Sequence, residues 1–155
     1  MKEIIIKEGQ SVGLFQFGMK LEEVEHYNNL YIEKYNSYAD SFTFEYDEEG
    51  HVTDIHLIID ALKHNFHCTF KGIDILNTKA SELIEFFDRI TPYIRDQNAS
   101  LGYSYKFPKL GLSFWRGNVC TEEDLELDWF KELLPDIQED TKRFLYFETV
   151  TFHQG

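Results

Sequence analysis

A chain of 155 residues with 43% apolar and 16% aromatic residues holds the material for one hydrophobic core in a single domain spanning 1–155, and excludes intrinsic disorder. Its 28 Asp and Glu against 15 Lys and Arg leave a net charge of −13, which repels phosphate backbones and anionic lipid. Neither nucleic acid nor membrane is therefore expected as a partner, and a basic protein is. Cys68 and Cys120 stand in unlike contexts and make no disulfide framework, and no apolar run reaches a secretory or spanning length, so a cytoplasmic protein is expected.

The first predicted elements lie in "GLFQFGMKLEEVEHY" (13–27), an apolar strand leaving through a Gly-Met turn into an acidic helix start. A helix is predicted over 21–35, because Leu21, Val24, Tyr27, Tyr31 and Tyr35 fall at three- and four-residue spacing. Strands follow near 41–47, 51–60 and 65–76. A second helix is predicted over 79–93, with Leu83, Phe86, Phe87 and Ile90 on one face and Thr78 or Ser81 as its cap. Strands near 103–108, 110–116 and 144–153 complete the list. Between the last two lies an acidic insert, about 117–143. There Thr121, Glu122, Glu123 and Asp124 read as a helix start, Leu125, Trp129 and Leu133 share a face, and the helix is expected to end near Pro135.

The strand–turn–helix junction occurs twice. "GIDILNTKASELIEF" (72–86) aligns with 13–27 without a gap, and "GYSYKFPKLGLS" (102–113) lies on "SFTFEYDEEGHV" (41–52), with Gly50 on Gly111. These matches predict an internal duplication, about 10–60 and 66–153, of strand, helix and meander. The second copy has Asn77 where the first has Gly18, two residues that share tolerance of positive φ, so the junction reads as a structural turn rather than a phosphate loop. The expected fold class is α+β: a twisted, mainly antiparallel sheet with its helices on one face.

The sheet's other face is where function is sought. In "HVTDIHLII" one side carries Thr53, Ile55, Leu57 and Ile59 and the other Asp54 and His56, about 6–7 Å apart by strand rise and so placed to orient or charge each other. Glu148 and His153 offer a second acid–base pair. In "GLSFWRG" Trp115 points away from Leu112 and Phe114 and precedes Arg116; Trp and Arg are the residue types most enriched at binding hot spots. Trp115 either anchors a partner or packs beneath the acidic insert. As a binding surface, Trp115 and Arg116 would adjoin Glu122, Glu123 and Asp124, and Asp54 and His56 on the open face are expected to bind the partner with them. "HNFHC" places His64 and His67 on one face only if helical. As a strand, Phe66, Cys68 and Phe70 point inward and the histidines diverge, so neither a metal nor any cofactor is expected. No GxSxG or Cys–His context supplies a nucleophile, and no catalytic residue is assigned.

"FGMKLEEV" followed by an aromatic strand, an acidic Gly turn and another strand resembles the helix-then-meander repeat of β-lactamase-inhibitor-like and SmpA-like outer-membrane lipoproteins, although the lipobox cysteine and signal of the latter are missing. The wider pattern, with "YSYKFPKLGLSFWR" and the closing "YFETVTF", resembles small uncharacterised bacterial proteins, some of them similar to immunity partners of secreted toxins. That resemblance implies a small protein-binding module that neutralises a basic partner. Its alternative is a small-molecule-binding or hydrolytic enzyme around Asp54 and His56. Self-association lies between the two.

Overall fold

The computed structural model describes residues 2–155. Alternation of aromatic and polar residues builds its principal element, a five-stranded antiparallel sheet of β5 (Phe42–Tyr46), β6 (Val52–Ile58), β10 (Ser104–Phe107), β11 (Leu112–Trp115) and β12 (Thr149–His153) in the order β10-β11-β12-β6-β5. Register places Phe107, Leu112, Phe152, Ile55 and Phe44 in one cross-strand row and Tyr105, Phe114, Val150, Leu57 and Phe42 in the next. Both rows belong to one face, because residues directly opposite each other in a ladder share a side.

Two helices cover that face. Helix α1 (Leu21–Tyr35) brings Tyr31 against Phe42 and Phe15, and helix α3 (Ala80–Ile90) brings Phe87 against Phe107 and Phe114. Each fully buried aromatic removes enough apolar surface from water to favour folding by about 1.5–3 kcal/mol, so this layer carries the fold. The fold is α+β and mainly antiparallel, as expected, and α1 occupies the predicted residues. The short α2 (Ile59–Leu62) lies between them in the chain and α4 (Gln97–Ser100) follows α3, while β2 (Ile6–Lys7), β3 (Ser11–Val12) and β4 (Phe15–Gln16) form a small meander. Strand β1 (Lys2–Glu3) runs parallel to β7 (Phe66–His67).

The Gly13 turn is structural. A Cβ at Gly13 would sit 2.2 Å from the Tyr31 hydroxyl, which itself accepts a hydrogen bond from the Leu14 N–H at 3.1 Å. At the other junction the expected single strand 65–76 is broken. Lys71 and Gly72 both take positive φ (53° and 94°), folding β8 (Thr69–Phe70) back on β9 (Ile73–Asp74). Among the described residues Asn36 and Lys71 are the non-glycines at positive φ, so Asn77 does not reproduce the Gly18 turn; its amide donates to Asp74 at 2.9 Å instead. Nor do Thr78 and Ser81 cap α3, since Thr78 Oγ1 donates to the Asp74 carbonyl and Ser81 Oγ to Glu122.

The two matched sequence segments do not build superposable units. Strands β5 and β10 lie at opposite edges and run in the same direction, four antiparallel steps apart, and each turns inward to its neighbour. With both helices on one face, the hairpins step across the sheet in opposite senses. No rotation carries one helix–hairpin onto the other. The acidic insert is also broken: a 3₁₀ turn (Glu123–Glu126) and α5 (Asp128–Lys131) precede α6 (Pro135–Lys142), which begins at Pro135 instead of ending there. Proline is suited to that first helical position, where no N–H is needed.

Candidate functional site

The uncovered face of the sheet carries polar side chains in matching rows. Across β12, β6 and β5 the register aligns His153, Asp54 and Glu45; across all five strands the next row is Lys106, Ser113, Thr151, His56 and Thr43. Trp115 and Thr149 continue the face beyond them.

Diagonal contacts between the rows close two chains, each made of an acid, an imidazole and a hydroxyl. In the first, the Asp54 carboxylate lies 2.7 Å from His153 Nδ1, and His153 Nε2 lies 2.8 Å from Ser113 Oγ. In the second, Glu45 lies 3.1 Å from His56 Nε2, and His56 Nδ1 lies 2.6 Å from Thr151 Oγ1. A carboxylate only accepts, so in each ring the nitrogen facing it carries a proton; in a neutral ring the far nitrogen is then the acceptor for the hydroxyl. The two chains use the ring in opposite senses. Asp54 and His56, expected to orient each other, are each committed to a different partner. Glu148 is likewise separate from His153: its carboxylate accepts from the Gly117 N–H at 3.1 Å.

Gly111 explains how Ser113 and His153 meet. It adopts φ 59° after a 3₁₀ turn at Pro108–Leu110, and a Cβ there would approach the His153 carbonyl oxygen to 3.0 Å. The turn therefore lies against the end of β12, with His153 N–H donating to the Gly111 carbonyl at 2.8 Å. Beside it opens a recess of about 410 Å³, lined by Ile94, Lys106, Pro108, Leu112, Ser113 and His153 among others.

Trp115 is 48% exposed on the polar face, whereas the next residue, Arg116, is 5% exposed. Arg116 sits on the covered side, its guanidinium 5.3 Å from the Phe147 ring and donating to the carbonyls of Gly102 (2.9 Å), Phe144 (2.8 Å) and Cys120 (3.4 Å). Burial pulls its pKa below the ordinary arginine value, partly offset by Tyr105, Cys120, Glu122 and Asp124. Arg116 is thus scaffold, contrary to its expected place on a binding surface. Glu122 is also drawn to the helix side, accepting from Ser81 Oγ at 2.7 Å, which lowers its pKa. Asp124 is tied to Thr121 by reciprocal bonds of 2.9 and 3.3 Å, and Glu123 is exposed. The six expected surface residues other than Arg116 therefore divide: Trp115, Asp54 and His56 share the open face, while Glu122, Glu123 and Asp124 lie in the segment tied to α3.

Near His67 the sequence-predicted ligand types separate. His67 Nδ1 contacts Asp74 at 2.7 Å, and Cys68 is buried, with desolvation raising its pKa. Burial also pushes Asp74 upward, but hydrogen bonds from His67, Asn77 and the N–H groups of Cys68 and Leu76 outweigh it and leave the carboxyl below its usual range. Among the described residues no group of three or more His, Cys, Asp or Glu side chains could hold a metal ion, and no helix is long and apolar enough to cross a membrane.

Ser113 and Thr151 went unmarked in the sequence because neither lies in a motif; only strand register connects them to the histidines. Compared with protein-family models, curated proteins and solved structures, the chain finds no match.

Proposed function

We propose that the protein is a binding module that holds a basic protein on the open face of its sheet, as an immunity protein holds a toxin. The observation that carries this reading is that half-exposed Trp115 shares a face the helices leave uncovered with Asp54 and Glu45, two carboxylates fixed in place by histidines. A large aromatic at one side and ordered acidic acceptors at the other suit a partner presenting an apolar pocket and Lys or Arg. The net charge of −13 adds long-range attraction that raises the association rate.

Glu122, Glu123 and Asp124 contribute to that attraction from the rim rather than by contact. With the basic product of a neighbouring reading frame as the probe, Trp115→Ala should raise Kd about 30-fold, equivalent to about 2 kcal/mol, mainly through faster dissociation. Neutralising Glu122, Glu123 and Asp124 should slow association and flatten its salt dependence, leaving dissociation nearly unchanged. Unaltered binding by Trp115→Ala would remove the open face as the docking surface.

A further inference from the structure

We propose that Ser113, His153 and Asp54 form an esterase-like site in which Ser113 accepts the acyl group of a small apolar carboxylic ester seated in the adjoining recess. The argument is independent of protein binding and begins with connectivity. Asp54 accepts from His153 Nδ1–H, so in the neutral ring Nε2, which faces Ser113 Oγ, is the acceptor. Nucleophile, base and orienting acid thus stand in the order that acyl transfer requires, with both links at hydrogen-bond distance. Three adjacent strands, β11, β12 and β6, supply one residue each. The geometry is therefore set by the ladder rather than by a loop.

The second acid–imidazole–hydroxyl chain provides the contrast. Thr151 faces Nδ1 of His56 from β12, the middle strand of the sheet. Ser113 instead lines the recess of about 410 Å³, whose walls include Ile94 and Pro108. That volume lies within the range of about 300–1,000 Å³ of small-molecule sites, and its apolar walls suit a short acyl chain. Lys106 is the direct register partner of Ser113 and lines the same recess. A cationic side chain thus borders the recess in which a tetrahedral oxyanion would form.

The reaction balances without any further cofactor. As the bond from Ser113 Oγ to the carbonyl carbon forms, the Oγ proton passes to His153 Nε2 and the carbonyl oxygen takes the negative charge beside Lys106. Collapse breaks the bond to the alcohol oxygen, which leaves with the proton from Nε2 and gives free alcohol and acylated Ser113. Water then gives a proton to Nε2 and its oxygen to the acyl carbon; collapse releases the carboxylic acid as the proton returns to Oγ. Asp54 acts as a positioning residue, holding the tautomer and balancing the imidazolium.

The test uses the full chain with a fluorophosphonate probe and p-nitrophenyl butyrate. Intact mass and peptide mapping should show one adduct on Ser113. Ser113→Ala should abolish it, and His153→Ala should slow both labelling and ester hydrolysis at least about 100-fold. Asp54→Asn, measured on folded protein, should lower kcat by a similar factor with KM nearly unchanged, as expected of a residue that acts through His153 rather than on the substrate. Thr151→Ala, in the other chain, should label at the wild-type rate. Circular dichroism establishes that each variant is folded, and the mapped adduct on the wild type stands even if one variant is not. Absence of labelling in the wild type, an adduct at another residue, or ester hydrolysis equal in wild type and folded Ser113→Ala would overturn the proposal.

Discussion

Along β6, β11 and β12, neighbouring residues enter two different surroundings. Ile55, Phe114 and Phe152 point into an aromatic layer beneath α1 and α3, while Asp54, Ser113 and His153 point into a polar lattice open to water. The first face is held by volume: Phe114 stacks on Phe147 with centroids 4.9 Å apart and lies against Phe87 at 5.8 Å. The second is held by direction, through contacts of 2.6 to 3.1 Å between donors and acceptors that water would also satisfy. Hydrogen bonds exchanged with water contribute little net stability, so the order on the open face serves position more than folding.

Adjacent substitutions break or sharpen this contrast. Phe114→Ala empties a fully packed site and should cost about 3–5 kcal/mol in urea denaturation, whereas Ser113→Ala, one residue away, should cost less than about 1 kcal/mol. Comparable losses from the two would show that the polar lattice, too, holds the fold together. Arg116 marks the boundary between the faces. Arg116→Met keeps much of the stem but strands the Gly102 and Phe144 carbonyls, and should cost about 3 kcal/mol by the same measurement. Arg116→Lys keeps the charge without the planar fork and should fall between Met and the native residue. A loss from Arg116→Met below that from Ser113→Ala would return Arg116 to the surface.

The contrast also explains what could be read from the sequence. Alternation alone separates Ile55 and Leu57 from Asp54 and His56, and helical spacing places α1, because each depends on residues a few positions apart. The polar face as such was legible. The contacts on it were not: Asp54 reaches His153, 99 residues away, and Ser113 reaches it across 40, so each depends on strand register. The Lys71–Gly72 hairpin lies where the apolar alternation on Phe66, Cys68 and Phe70 resumes one position out of phase on Ile73 and Ile75, a break that a single strand over 65–76 overlooks. Pro135 after an apolar stripe suggests a helix stop, although a proline also opens helices. Arg116 looked like surface because its type usually is; its neutral acceptors are backbone carbonyls, which no sequence pattern displays. The repeated junction misled in another way, since local likeness sets the spacing of a helix but neither the turn before it nor the hand in which strands assemble.

The smallest effect lies at the rim, where the insert meets α3. Glu122 accepts from Ser81 Oγ, and this hydrogen bond holds its carboxyl below the usual range despite an opposing contribution from burial. A carboxyl whose pKa is lower in the folded chain stabilises it fully above the unfolded pKa of about 4.3, and that contribution disappears as pH falls through the folded value. Glu122→Gln should therefore lower stability by no more than about 0.5 kcal/mol near pH 7, because the group is largely open to solvent, and by nothing measurable near pH 3. Ser81→Ala should give the same pH-dependent difference, and the double variant little more than either alone, as expected of one shared contact. Chemical denaturation of the four proteins across pH 3 to 7 measures it. A deficit in Glu122→Gln that persists at pH 3 would mean that the carboxylate's charge is not what joins the acidic segment to the helix, and that the insert is held instead by its buried Phe130 and Cys120.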